Sequence, residues 1–161
     1  MPELSPDGQA ALAVCMKILD SLTILGPEGR ARFVSTLAPA GQACHARPSQ
    51  DPAMPSPVIT YEKNEGELPD RIPWDSGDTL EEGIDDGEGG RDVVVLVDHD
   101  IAMVWTPYWF KANGALTHVG TNCFTLVKHP REPSGMSEGW KVVGMTDTGR
   151  LPSDEERQRL K

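Results

Sequence analysis

Apolar residues in the first part of the chain recur at helical spacing. Ala11, Cys15, Ile18, Leu22 and Leu25 lie three or four positions apart, and Leu12 and Leu19 widen the stripe. Ser5-Pro6-Asp7 ahead of it is a helix start. The serine caps, the proline takes the first turn, and the acid faces the positive end of the helix. Gly26-Pro27 ends this helix and lets a shorter one begin. The second carries Phe33, Val34 and Leu37 on one side, and Pro39 is expected to stop it.

The last third has a different period. Val93 to Val97 is a continuous apolar run, β-branched except at Leu96, and Asp98-His99-Asp100 reads as a turn. Ile101 to Ala112 is a long strand rich in aromatics. Asn113-Gly114 is a strong hairpin signal, because both residues tolerate positive φ. Ala115 to His129 is the return strand. A polar loop, Pro130 to Glu138, leads to a final strand from Gly139 to Thr148. Pro107 inside the long strand implies an edge position or a bulge. Helices followed by hairpin-linked strands make an α+β layout, with helices on one face of a curved, mostly antiparallel sheet.

Between these regions the pattern dissolves. His45 to Pro73 holds six prolines, and Glu62 to Glu88 holds eleven acids against Lys63 and Arg71. Residues 45–90 therefore read as a solvated, Pro-rich acidic loop region. Two pieces keep some order: Val58-Ile59-Thr60-Tyr61 has strand character, and Leu80 to Ile84 is a strand or a helical turn. The tail at 151–161 is charged and reads as a frayed helix. One domain is expected over 1–150, since 161 residues suffice for a single core.

Charge and composition narrow the function. A formal charge of −10 argues against nucleic acid and against anionic membrane surfaces. No apolar run approaches the roughly 20 residues of a membrane span. The start, MPELSPDGQ, does not resemble a secretory signal. Cys15, Cys44 and Cys123 are odd in number and form no CxxC pair, so a reduced, cytoplasmic protein is expected. No metal and no cofactor are expected. Cys44-His45 lacks a second ligand pair, Asp98-His99-Asp100 is explained by a turn, and the Glu81-Glu82 and Asp85-Asp86 pairs lack a calcium loop.

The run VLVDHDIAMVWTPYWFKANGALTHVGTNCFTLVK, with GWKVVGMTDTGR after it, resembles the C-terminal sheet of the SnoaL-like, ketosteroid-isomerase-like superfamily. This is the nuclear-transport-factor-two-like α+β cone. The resemblance is nearest to small fungal SnoaL-like and lumazine-binding-like proteins. The motifs are D-x-D before I-A-x-V-W, then P-Y-x-F, N-G, H-x-G-x-N-x-F-x-L, and G-W-K-V with D-T-x-R. They span residues 92–150, and the two helices fit the family's start more loosely. The acidic stretch stands where a third helix belongs. The resemblance implies a conical pocket between sheet and helices, a homodimer built sheet to sheet, and a membership of isomerases, cyclases, dehydratases and binding proteins.

Strand alternation sorts the candidates for such a pocket. Without a bulge at Pro107, Tyr108 and Phe110 share one face with Ala102, Val104 and Thr106, while Trp105 and Trp109 take the other. His118, Asn122 and Phe124 share a face. On the last strand Thr146 alternates with Asp147. His118 is a candidate general acid or base, against a satisfied sheet histidine. Asn122 orients a carbonyl or bonds to backbone. Tyr108 donates to a developing enolate or is a core tyrosine. Asp147 works with His118, or is a salt bridge to Arg150. Trp74, Trp105, Phe110, Phe124 and Thr146 are candidate substrate-binding residues, with core or interface packing as the alternative. His45, His99 and His129 read as solvated loop side chains.

Three functions remain open. The first is a cofactor-free isomerase, cyclase or dehydratase of small-molecule, notably secondary, metabolism, with a hydrophobic carbonyl-containing or polycyclic substrate. The second is a binding protein using the same pocket. The third is a dimeric interaction module.

Overall fold

A computed structural model of the chain describes residues 3–130 and 139–161. Ser5 caps helix α1 (Pro6–Ile24), its Oγ accepting from the Gly8 N–H at 3.1 Å. The buried face of α1 is the stripe Ala11, Cys15, Ile18, Leu19 and Leu22. Helix α2 (Gly26–Val34) follows after Leu25 and buries Phe33.

Helix α2 ends before Leu37. That residue opens strand β1 (Leu37–Arg47), and Pro39 lies inside this strand rather than stopping a helix. The proline is tolerated because the first part of β1 is irregular. Its register to the last strand jumps between Leu37 and Gln42. Asn64 fills the gap, its amide donating to the carbonyls of Ala38 and Val142 at 2.9 and 3.0 Å.

The acidic middle is more ordered than its composition implies. It contains the end of β1, strand β2 (Val58–Lys63), one short helix α3 (Glu67–Asp70) and strand β3 (Leu80–Ile84). The expected third helix is thus a single turn. Then come β4 (Val94–Asp98), β5 (Ile101–Ala112), β6 (Ala115–His129) and β7 (Gly139–Arg150). The expected loop after His129 lies, over residues 131–138, outside the described residues.

The sheet has seven strands in the order β2-β1-β7-β6-β5-β3, with β4 also pairing β5. All pairs are antiparallel except β1 with β7. The N-terminal helices cover its concave face, so the fold is an α+β cone with the core between the layers.

Pro107 causes no bulge: β5 pairs β6 without a shift from Ile101 to Phe110. On its other side β5 meets β4 up to Trp105 and β3 from Tyr108 onward. The Pro107 carbonyl accepts from the Asp85 N–H at 2.8 Å on that side. A strand residue presents its N and C=O to the same edge. The missing N–H therefore falls where the neighbouring strand changes, and no ladder bond is lost.

The tail is tied down rather than frayed. Ser153 and Glu156 form a capping box on helix α4 (Asp154–Arg159). Arg150 pairs with Glu156 through both nitrogens at 2.8 Å, and Arg159 grips buried Asp85.

Candidate active site

The sheet's concave face and the helices enclose a cavity of 230 Å³. Its apolar wall comes from Ile18, Leu19 and Leu22 on α1, Phe33 on α2, Leu68 on α3 and Ile72 just after it, and Phe110, Phe124 and Met145 on the sheet. Its polar wall comes from His45, Arg47, Arg71, Glu82, Tyr108, His118, Asn122 and Asp147.

Register explains how these polar groups converge. Thr106 pairs Asn122, Asn122 pairs Asp147, and Asp147 pairs His45, so one level of the sheet crosses four strands. A second level runs Glu82, Phe110, His118. Between them Tyr108 pairs Gly120, which pairs Gly149. A side chain at Gly120 would collide with the Tyr108 ring and the Thr148 carbonyl, and one at Gly149 would meet the Arg47 guanidinium. The two glycines let Tyr108 and Arg47 lie flat across the sheet.

A bulge in β7 sets which of its residues face inward. Thr125 pairs Gly144 while Leu126 pairs Val142, leaving Val143 extra. Trp140 and Val142 are buried before it, Asp147 after it, and Thr146 is exposed. Thr146 therefore lies on the outer face. So does Trp105, which is 43% exposed. Trp74 sits in the core edge-on to Phe33 at 5.6 Å, with its indole N–H given to the Pro69 carbonyl. These three residues do not line the cavity. His118, Asp147, Tyr108, Asn122, Phe110 and Phe124 all do.

Asp147 and His118 share the cavity, but the hydrogen bonds of Asp147 go elsewhere. It accepts from Arg47 Nη1 at 2.6 Å and meets His45 Nδ1 at 2.9 Å. It does not pair with Arg150. Burial pushes its carboxyl up, but the bonds from His45 and Arg47 and their charge outweigh this and hold it below the usual range. The other nitrogen of His45 contacts Glu62 at 3.0 Å, and Glu62 in turn meets Arg71. His45 is thus a buried sheet residue, 3% exposed, and not a loop histidine.

Glu82 behaves in the opposite way. Its carboxylate lines the cavity on a half-buried residue, and burial raises it from an ordinary 4.5 to about 7. The Asn122 amide donates to it at 2.7 Å and partly offsets this, while the Asp147 charge adds to it. His118 stacks on Phe110 at 4.8 Å and bonds Thr117. Burial and the Arg47 charge lower its pKa, so the imidazole is neutral at pH 7. The Tyr108 hydroxyl donates to the Thr148 carbonyl at 2.7 Å, and burial and Glu82 push its pKa up.

Glu82, His45 and Arg47 escape the sequence reading because proline and acid content masks the short strands that carry them. One signal was there: Leu80, Glu82 and Ile84 alternate, which puts a carboxylate on an apolar face.

No family model matches the sequence, and no curated protein is similar to it. Solved structures are. An NTF2-like protein of unknown function from Shewanella baltica superposes with a TM-score of 0.57 over 94% of this chain and 100% of its own, at 13% identity. A candidate dehydratase of the NTF2-like family from Streptomyces avermitilis gives 0.59 over 91% and 97%, at 16% identity. The fold is NTF2-like. The same NTF2-like frame also superposes on the beta subunit of a candidate aromatic-ring-hydroxylating dioxygenase from Novosphingobium aromaticivorans. That match has a TM-score of 0.60 over 91% of this chain and 90% of the subunit, at 10% identity. One frame serves different roles, so the chemistry has to be argued from this chain's own side chains.

Proposed function

We propose that the NTF2-like cavity binds a small, hydrophobic, carbonyl-containing molecule and catalyses its cofactor-free isomerisation, cyclisation or dehydration by proton transfer. The observation that carries this reading is Glu82. A carboxyl near pKa 7 inside an apolar cavity exists in both forms at neutral pH, which is what a general base or acid needs. Asn122 holds it at 2.7 Å. Neutral His118 is the second proton-transfer group, and the side chain of Phe110 fixes its plane. Asp147, ionised and bonded by Arg47 and His45, orients and balances charge rather than taking a proton.

The test uses a panel of small cyclic ketones in D2O, with deuterium uptake at the α-carbon read by mass spectrometry. Uptake above the buffer rate that Glu82→Gln abolishes supports the reading. Uptake that survives the substitution removes Glu82 as the base.

A non-catalytic binding protein is the second reading. It is favoured by the commitment of the Tyr108 hydroxyl to Thr148, which leaves few donors for a developing oxyanion. Ketone binding without any exchange would select it.

The proposal includes a homodimer joined through the outer face of the sheet. Val94, Trp105, Cys123, Thr146, Cys44 and Tyr61 form one row across that face, linked by register. Trp105 and Tyr61 are exposed in it. The three cysteines are free thiols, which suits a reducing cytoplasm. Among the described residues no helix is long and apolar enough to cross a membrane.

A further inference from the structure

A second cleft, of 610 Å³, lies beside the cavity and opens outward. Arg47 and His118 line both spaces. The two spaces differ in charge. The inner one mixes Glu82 and Asp147 with Arg47 and Arg71 among apolar side chains. The outer one is lined by Arg47 and Arg150 with no carboxylate, in a chain whose net charge is −10. A cationic cleft on an acidic protein is a local arrangement that selects for an anion.

Arg47 is built to receive one. Its stem crosses Gly149, and Nη1 is fixed by Asp147 at 2.6 Å and by the Asp147 and Ala46 carbonyls. No bond from Nη2 is found among the described residues, and the side chain is 31% exposed. One edge of the guanidinium is thus anchored while the other faces the openings. Planar, bidentate recognition of a carboxylate uses such an edge. Arg150 is engaged by Glu156 through both nitrogens and adds field rather than a free fork.

Size divides the ligand. An apolar cavity of about 150 Å³ accepts benzene. The 230 Å³ chamber therefore accommodates one ring with substituents or two fused rings, and a larger polycycle has to project out of it.

We propose that the site takes an elongated amphiphilic acid, its one- or two-ring apolar end in the inner chamber and its carboxylate on Arg47 in the outer cleft. This rests on the reading of the cavity as a small-molecule site. It places the acid group on the side of Arg47 that Asp147 leaves open and away from Glu82, and puts the middle of the molecule beside His118.

The test is calorimetric binding of 4-phenylbutanoate and 4-phenylbutan-1-ol to the wild-type protein at pH 7.5. They share ring and chain length and differ in the charged end. The acid is expected to bind at least about 10-fold more tightly, as a charge-assisted contact implies, with the advantage shrinking as sodium chloride is added. Arg47→Gln removes the acid's advantage over the alcohol, and Arg47→Lys restores part of the difference. An alcohol that binds as well as the acid overturns the proposal and leaves the apolar chamber standing. Absence of heat from both probes overturns the proposal together with the cavity reading beneath it. Where a circular dichroism melt shows Arg47→Gln unfolded, the wild-type comparison decides alone.

Discussion

His45 and Asp147 stand 2.9 Å apart across the parallel strand pair β1 and β7, although 102 positions separate them in the chain. The pair extends at both ends: Glu62 takes the other histidine nitrogen, and Arg47 donates to the same Asp147 oxygen, Oδ1, that His45 meets. An ordered wall of four side chains results, joining the edge strand β2 to the centre of the sheet.

Removing the middle of that wall takes one partner from each of two carboxylates, which keep Arg47 and Arg71. His45→Ala should cost about 1.5–3 kcal/mol, the usual scale for hydrogen bonds to charged groups. Urea unfolding monitored by tryptophan fluorescence checks this, and a loss below about 0.5 kcal/mol would assign the wall no structural weight. The pH dependence has a definite sign. Asp147 is depressed below its ordinary 3.8 in the fold, so its stabilisation is present above that value and disappears as pH falls through the lower folded one. The gap between variant and wild type should narrow in acid.

Glu82 works in reverse. Its folded pKa of about 7 exceeds the ordinary 4.5, so the native state holds the proton that the unfolded chain gives up. Stability falls as pH rises from 4.5 to about 7, with a full cost on the order of 3 kcal/mol above that range. Glu82→Gln should therefore raise the melting temperature at pH 8 and leave it nearly unchanged at pH 4. An equal shift at both values would mean that the carboxyl titrates normally.

The Tyr108 hydroxyl is bonded to the Thr148 carbonyl, so Tyr108→Phe separates structure from chemistry. The expected loss is about 1 kcal/mol of stability, the net worth of one such bond. Ketone exchange by the variant should stay within about threefold of wild type, well under the change expected from deleting an oxyanion donor. A fall of about 100-fold with unchanged stability would return the phenol to the catalytic set.

On the outer face, Trp105 is the largest exposed side chain in the cross-sheet row. Trp105→Glu should convert the proposed dimer to a monomer, since a charge at the centre of an apolar interface is left unpaired. Light scattering with size exclusion reads the mass directly. A wild-type monomer at 100 μM, about the upper range of a functional dimer, would retire the dimer.

The strands from Ile101 onward and both N-terminal helices were legible in the sequence, because local patterns dominate there. Asn113-Gly114 makes a hairpin wherever it sits between alternating strands, and the stripe from Ala11 to Leu22 has one apolar face to bury. His118, Asn122, Tyr108 and Phe124 follow from two-residue alternation along strands that keep their register. The bulge at Val143 could not be read this way. It reverses the last strand, sends Thr146 outward and brings Asp147 in, and its cause is pairing with β1 and β6 rather than anything local.

Sequence alone determined the α+β layout, to which the family resemblance added the cone, and the facing of Tyr108, His118 and Asn122, because short-range periodicity specifies which face of a strand a residue takes. Tertiary structure alone decided which charges meet. Strand β1, with Pro39 inside it, delivers His45 and Arg47 to Asp147. Strand β3, from an acidic stretch, delivers Glu82 to Asn122. Those contacts join residues 40 to 102 positions apart, and the burial that lifts Glu82 while Asp147 is held down arises only once the sheet and helices have closed around both.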